Sequence, residues 1–262
     1  MQVYLMVARQ AFRRSATYRA AYISGMITNT FFGAMLCYVF LAVYGSRSSM
    51  ADYSVNDTIT YLWVAQAMIS IGGAWVTADL SRAIRSGDVA VELMRPWNYY
   101  FFWLSQQLGE RAFNLILRGI ITYSLGVMLF AARLPALADL PGFLVALAFA
   151  VLISTALNFL WNASAFWFLD NQGVVTIGSV LTMFFSGFLV PLAFFPPWLA
   201  TIAQILPFRA ITSIPIEAFL GKLRGAELLL ALGVQLFWVV LLTLAALLLM
   251  RRAMHKLIIQ GG

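Results

Sequence analysis

Five long stretches of this chain carry no charged residue at all, and they decide what it can fold into. Arg19 and Arg47 are separated by 27 uncharged residues, Asp57 and Asp79 by 21, Asp139 and Asp170 by 30, Asp170 and Arg209 by 38, and Glu227 and Arg251 by 23. Crossing a bilayer takes about 20 mostly apolar residues, so each stretch can hold a membrane helix. Composition excludes the soluble alternative: 62% of the 262 residues are hydrophobic and 10% charged, against roughly 25% charged in a soluble domain. The reading is an all-α membrane protein with several spans.

The uncharged limits place spans at 20–44, 58–79, 142–168, 174–190 and 228–250. Another span, at 99–132, is needed between Arg95 and Arg133 although it contains Glu110, Arg111 and Arg118, because Tyr99 to Ala132 is otherwise apolar and free of proline. It reads as one long helix whose first turns sit in the interface. Six spans put both termini on one side. Arg9, Arg13, Arg14, Arg19, Arg82, Arg85, Arg95, Arg251, Arg252 and Lys256 fall on that side, while Arg47, Arg133, Arg209, Lys222 and Arg224 fall on the other. Basic residues concentrate in cytoplasmic loops, so both termini are expected in the cytoplasm and 1–262 forms a single membrane domain. The net charge of +7 is read as this loop bias, with no nucleic-acid partner.

Two cytoplasmic segments read as amphipathic helices. Residues 1–19 lack proline and glycine, and set Gln2, Arg9, Arg13 and Thr17 against Tyr4, Ala8, Phe12 and Ser15 or Ala16. A helix along the membrane surface, with Arg9, Arg13 and Arg14 among lipid phosphates, and a disordered basic tail are the two readings. Over 82–95, Arg82, Arg85, Asp88, Glu92 and Arg95 recur every three or four residues opposite Ile84, Ala90, Val91 and Met94, and Pro96 ends the helix. Its mixed charge suits either docking of a soluble partner or an ordinary solvated loop.

Polar residues at membrane depth are few. Gln107, Arg111, Asn114 and Arg118 are spaced at steps of four, three and four, which gathers them into one stripe on a regular helix. Such residues cost free energy in lipid and face protein or water, so they line a pathway, contact another chain, or snorkel to the interface. Asn158 and Asn162, with Ser154 and Thr155, read as helix-packing groups. Pro191, Pro196, Pro197, Pro207 and Pro215 interrupt a segment that stays apolar through Phe194, Phe195 and Trp198. Exposed irregular backbone cannot face lipid, so 191–225 reads as a re-entrant pair of short helices forming an outer lid, or else as a plain amphipathic outer loop.

Catalytic signatures are missing. Gly221-Lys222 lacks the rest of a phosphate-binding loop, and neither a zinc-protease nor a nucleophile-elbow motif occurs. The chain is therefore not read as an enzyme. Cys37 has no cysteine to pair with, and with His255 it offers too few ligands for a metal site from this chain alone. Met1 to Arg14 lacks the order of a cleavable signal, so the first span is expected to insert uncleaved.

The succession of features resembles the permease subunit of a type-2 ATP-binding cassette (ABC) exporter, over essentially the whole chain. The most specific stretches are Ser86-Gly-Asp-Val-Ala90 with Leu93 to Pro96, Ser186 through Pro191 to Pro197, Leu206-Pro-Phe208 and Leu257 to Gly262. They are similar to a branch whose permeases are often paired and non-identical. The resemblance implies a permease dimer in a bacterial inner membrane, each copy gripped by a cytosolic ATPase through Arg82, Arg85, Gly87, Asp88, Glu92, Leu93, Arg95 and Pro96 and the N-terminal helix. ATP and Mg would belong to that partner. Pro191, Phe194, Phe195, Pro196 and Pro197 would form the external gate. The implied cargo is amphiphilic: a drug, a lipid or a lipid-linked compound. An ion-coupled secondary transporter and a non-transporting assembly subunit are the alternatives.

Overall fold

The computed structural model describes residues 2–17, 19–72, 78–168 and 170–260. Residues 73–77 of the expected second span, Met1 and Tyr18 of the N-terminal segment, and the closing Gly261-Gly262 lie outside the described residues.

The chain begins with α1 (Gln2–Thr17) and α2 (Arg19–Tyr44), and then a small antiparallel hairpin of β1 (Ser49–Met50) and β2 (Tyr53–Ser54). Ser49 pairs with Ser54 and Met50 with Tyr53. The two turn residues, Ala51 (φ 47°) and Asp52 (φ 62°), both take positive φ, the twist that a two-residue hairpin favours. Next come α3 (Val55–Ala67), α4 (Ile69–Gly72), α5 (Asp79–Ser86) and α6 (Asp88–Leu93), then α7 (Tyr99–Phe113), a π-helical segment (Asn114–Gly119) and α8 (Ile120–Phe130). The remainder comprises α9 (Leu140–Ala163), α10 (Gln172–Phe185), the short α11 (Pro197–Ile205) and α12 (Ser213–Phe219), and α13 (Gly225–Gln260). The architecture is that of an all-α protein apart from the hairpin.

Among the described residues four helices are long and apolar enough to cross a bilayer: Ile23–Tyr44, Tyr99–Phe130, Leu140–Phe166 and Gly225–Met254. The other two expected spans differ. The second begins at Val55 and breaks after Ala67, where Met68 separates α3 from α4. The fifth ends at Phe185, well before the expected 190, and its 14 residues rise only about 21 Å at 1.5 Å each. Gly187 (φ 83°) turns the chain there, a conformation that glycine adopts without strain.

Three buried clusters hold the helices together. The largest joins α3, α9 and α12 through Tyr61, Val64, Ile153, Ile214 and Ile216. Along α9, Ala146, Ala150, Ala156 and Ala163 are fully buried, so backbones approach closely where α9 meets α12 and α13. α1 packs along α7, with Tyr4 edge-on to Phe101 and Phe12 edge-on to Phe113 at 5.4 Å. At Gly109 the backbones touch: a methyl there would overlap the Ala8 carbonyl oxygen.

Candidate functional site

The expected helix over 82–95 is two helices at a sharp bend. Gly87 adopts φ 83°, caps α5 by donating its N–H to the Ile84 carbonyl at 3.3 Å, and starts α6. α6 ends at Leu93, and Pro96 lies beyond it in the turn before α7. The bend also corrects the expected apolar face. Ile84 packs inward, whereas Ala90, Val91 (62% exposed) and Met94 (87% exposed) face outward. Two other residues anchor the pair: Leu80 and Val89 sink into a cluster with Tyr99, Tyr100, Trp103, Phe159, Ala163, Ala246 and Met250, drawn from α7, α9 and α13.

The outer rim is polar. Arg82 pairs with Asp79, Arg85 lies 3.8 Å from Asp170, and the Ser86 hydroxyl donates to Asp88 at 2.6 Å. Asp79, Arg82, Arg85, Ser86 and Asp88 line a shallow cleft of 660 Å³. Glu92 and Leu93 are half-buried, Pro96 is exposed, and the Arg95 guanidinium lies 5.1 Å above the Trp97 ring.

Beneath the rim, a buried network wires the start of α5 to α9 and α10. The Ser81 N–H and hydroxyl both donate to Asn162 Oδ1, at 3.2 and 2.7 Å. Asn162 Nδ2 donates to the carbonyl and side-chain oxygens of Asn158 at 3.0 and 2.9 Å. Asn171, just before α10, donates to Ser81 Oγ at 2.9 Å and to the Asn162 carbonyl at 3.1 Å. All four residues are at most 3% exposed. Sequence reasoning singles out Asn158 and Asn162 for packing alone and misses Ser81 and Asn171. The i, i+4 asparagine pair is the available signal, but nothing in the chain announces a partner 81 residues away.

The remaining expected residues fall in three places. Arg9, Arg13 and Arg14 are exposed on α1, and the stripe of Tyr4, Ala8 and Phe12, expected in acyl chains, packs against α7. The polar stripe on α7 is divided. Arg111 donates from Nη1 to Ser154 Oγ at 2.7 Å, which in turn donates to the Ile71 carbonyl at 2.7 Å. Arg118 turns to α2, donating to the Gly25 carbonyl and Asn29 Oδ1, both at 2.9 Å. The π-helical segment that begins at Asn114 is the cause: one extra residue in a turn rotates the rest of the helix by about 100°. Gln107 is buried, and Asn114 bonds locally to the Glu110 carbonyl at 3.0 Å.

The third place is the opposite end of the bundle. Pro191 is buried, Pro196 and Pro197 are exposed, and the segment after them carries two short helices, α11 and α12. Phe194 packs among Phe40, Tyr44 and Tyr53, and Phe195 against Phe184. Basic residues here are held by acids: Arg133 and Lys222 by Asp57 at 2.9 and 3.4 Å, Arg209 by Glu217 at 3.1 Å, Arg224 by Asp139 at 2.8 Å. Burial disfavours the Asp57 carboxylate, but the Ser54 backbone bond and the cations Arg133 and Lys222 outweigh it and hold its pKa below the usual value.

A sequence model of the family described as ABC-2 family transporter protein matches residues 26–261. That match takes in both the α5–α6 bend and the opposite helix pair. No curated protein matches the chain.

Proposed function

The chain belongs to the ABC-2 transporter family, and from that premise we propose that it is the membrane-spanning subunit of an ATP-driven exporter carrying an amphiphile outward. As a multi-pass membrane protein of this family it works with ABC ATPase subunits, and hydrolysis is normally the task of that separate subunit. The observation that carries the reading is the bent α5–α6 pair. It exposes the apolar Val91 and Met94 together with the charged Arg82, Arg85, Asp88 and Arg95, yet it is pinned from beneath by Leu80, Val89 and the Ser81 network. A partner gripping the rim would therefore displace α9, α10 and α13 with it.

In this reading α5 and α6 face the cytoplasm of a bacterial cell, with both termini on that side. ATP-driven closure of two ATPase subunits moves the bent pair as a rigid body, and a cavity between two permease copies switches its access from the inner to the outer side. The α11–α12 pair, with Phe194 and Phe195 in the turn before it, acts as the outer gate. The cargo is a drug, a lipid or a lipid-linked compound.

Co-purification tests the docking role. Val91→Glu with Met94→Glu, both at exposed positions, is expected to abolish recovery of the ATPase with the permease while leaving membrane insertion intact. Normal recovery would refute the docking surface.

A further inference from the structure

A second cavity of 360 Å³ lies between α1 and the corner that links α6 to α7, lined by Val7, Gln10, Ala11, Arg14, Arg95, Trp97, Phe102 and Gln106. Its lining holds two guanidinium groups, two amides and the face of an indole ring, and no carboxylate. Neither Arg14 nor Arg95 forms an ion pair with a described residue. The Trp97 indole N–H is buried and has no hydrogen-bond partner among the described residues, so the indole contributes its ring and not its N–H to the accessible lining. Its ring is already fixed, stacked on Phe102 at 5.0 Å with 4° between the planes and covered by the Arg95 guanidinium. The pocket thus presents an excess of donors and positive charge on a rigid aromatic floor.

We propose that this pocket binds the phosphodiester headgroup of an anionic membrane lipid. Guanidinium groups match phosphate oxygens through paired, charge-assisted bonds, and the amide donors of Gln10 and Gln106 can take the remaining lone pairs. The apolar part of the lining, Val7, Ala11 and Phe102, suits the glycerol and first acyl carbons better than a free ion in water. α1 supports a lipid source as well, since Val3, Leu5 and Met6 are 46%, 66% and 66% exposed just ahead of the pocket. Arg14 sits on α1 and Arg95 lies just after α6, so one bound headgroup would clamp the N-terminal helix to the bent pair. The inference rests on the reading of this end as the cytoplasmic membrane surface.

The test uses the full chain in detergent, with bound lipid counted by native mass spectrometry. Phosphatidylglycerol is expected to stay bound in preference to phosphatidylcholine, and Arg14→Ala with Arg95→Ala to weaken it tenfold or more. Arg251→Ala with Arg252→Ala, an equally basic exposed pair, is expected to stay within twofold. Equal binding of phosphatidylcholine, equal loss in the Arg251/Arg252 variant, or complete displacement of the lipid by inorganic phosphate would overturn the proposal. If the double alanine variant does not fold, Gln106→Glu places a repelling charge in the pocket with both arginines intact. At least fivefold weaker binding is expected there, and unchanged binding overturns the proposal. No ATPase enters this measurement, so failure of the co-purification test leaves its result standing, and the converse holds.

Discussion

Replacing Asn162 with alanine removes four side-chain hydrogen bonds at once: two from Ser81 and two to Asn158. At about 0.6 kcal/mol for each bond between polar groups in a membrane protein, their loss costs about 2.4 kcal/mol. The Ser81 N–H lies in the first turn of α5, where no carbonyl of its own helix can accept from it, and stranding a buried donor adds about 1–3 kcal/mol. The expected destabilisation is therefore about 3–5 kcal/mol, measured as the shift in unfolding free energy on titrating the detergent-solubilised protein with sodium dodecyl sulfate. Ser81→Ala in the same background isolates the 2.7 Å contact: the double variant is expected to be less destabilised than the sum of the singles by about 1 kcal/mol. A shift below about 1 kcal/mol for Asn162→Ala, or strict additivity, would refute the claim that these residues act as one joint. The functional counterpart is separable. Under the proposed function, the ATPase co-purifies with Asn162→Ala but its turnover no longer drives transport, whereas a docking variant loses the ATPase outright.

Gly109→Ala is expected to lift α1 from α7, because the added methyl meets the backbone of Ala8. Trypsin cleavage after Arg13 and Arg14 should accelerate severalfold, and an unchanged rate would show that α1 is not held there. Asp57 sets a pH dependence whose sign comes from its lowered pKa. Its ion pairs stabilise the fold at neutral pH, and that contribution is lost as pH falls below about 3.9, the unfolded value, and through the lower folded one. Asp57→Asn should flatten the stability profile between about pH 5 and pH 2, as measured by thermal unfolding. Phe194→Ala removes three aromatic contacts, worth about 0.5–1.5 kcal/mol each, and should raise dye leak through reconstituted vesicles more than Phe195→Ala, which loses one. Equal leak in the two variants would count against Phe194 as the seal.

The legible part of this fold is the part that depends on length and hydropathy alone. α2, α9 and α13 are readable from uncharged runs, and the long helix from Tyr99 survives Glu110, Arg111 and Arg118, because its arginines find partners that a window average cannot see. What the sequence hides are departures from regular geometry. Spacings of four, three and four place Gln107, Arg111, Asn114 and Arg118 on one face only if every turn has 3.6 residues, and the π-helical segment breaks that premise between Arg111 and Arg118. In the same way a continuous pattern over 82–95 conceals the positive φ at Gly87, after which Val91 and Met94 point outward. Glycine permits that bend without signalling it. Polar partners distant in sequence are hidden for another reason: Ser81, Asn162 and Asn171 are ordinary residues until the fold brings them together.

Both ends of the bundle have a buried apolar base, but the polar groups above it differ, and the difference bears on how movement could pass between them. At the α11–α12 end, Arg133, Lys222, Arg209 and Arg224 form ion pairs with Asp57, Glu217 and Asp139. Pairs whose cation is exposed, such as Arg224–Asp139, weaken with salt, which would suit an outer gate under the proposed function. At the α5–α6 end the ion pairs of Arg82 with Asp79 and Arg85 with Asp170 lie on the exposed rim, and the joint beneath them is made of neutral hydrogen bonds and the buried side chains of Leu80 and Val89, which salt does not screen. A packed joint of this kind moves as a unit, because opening it exposes apolar area and strands donors together. Force applied to the bent pair would then reach α9, α10 and α13 before it dissipates locally, and the compliance needed for a transport cycle would lie at the ion-paired end. Raised salt should accordingly loosen the α11–α12 end first: amide exchange over 207–224 should speed up between about 0.05 and 1 M salt, roughly a threefold change in Debye length or more, while α5 and α6 stay unchanged. Faster exchange confined to α5 and α6 would reverse this assignment of the stiff and the yielding end.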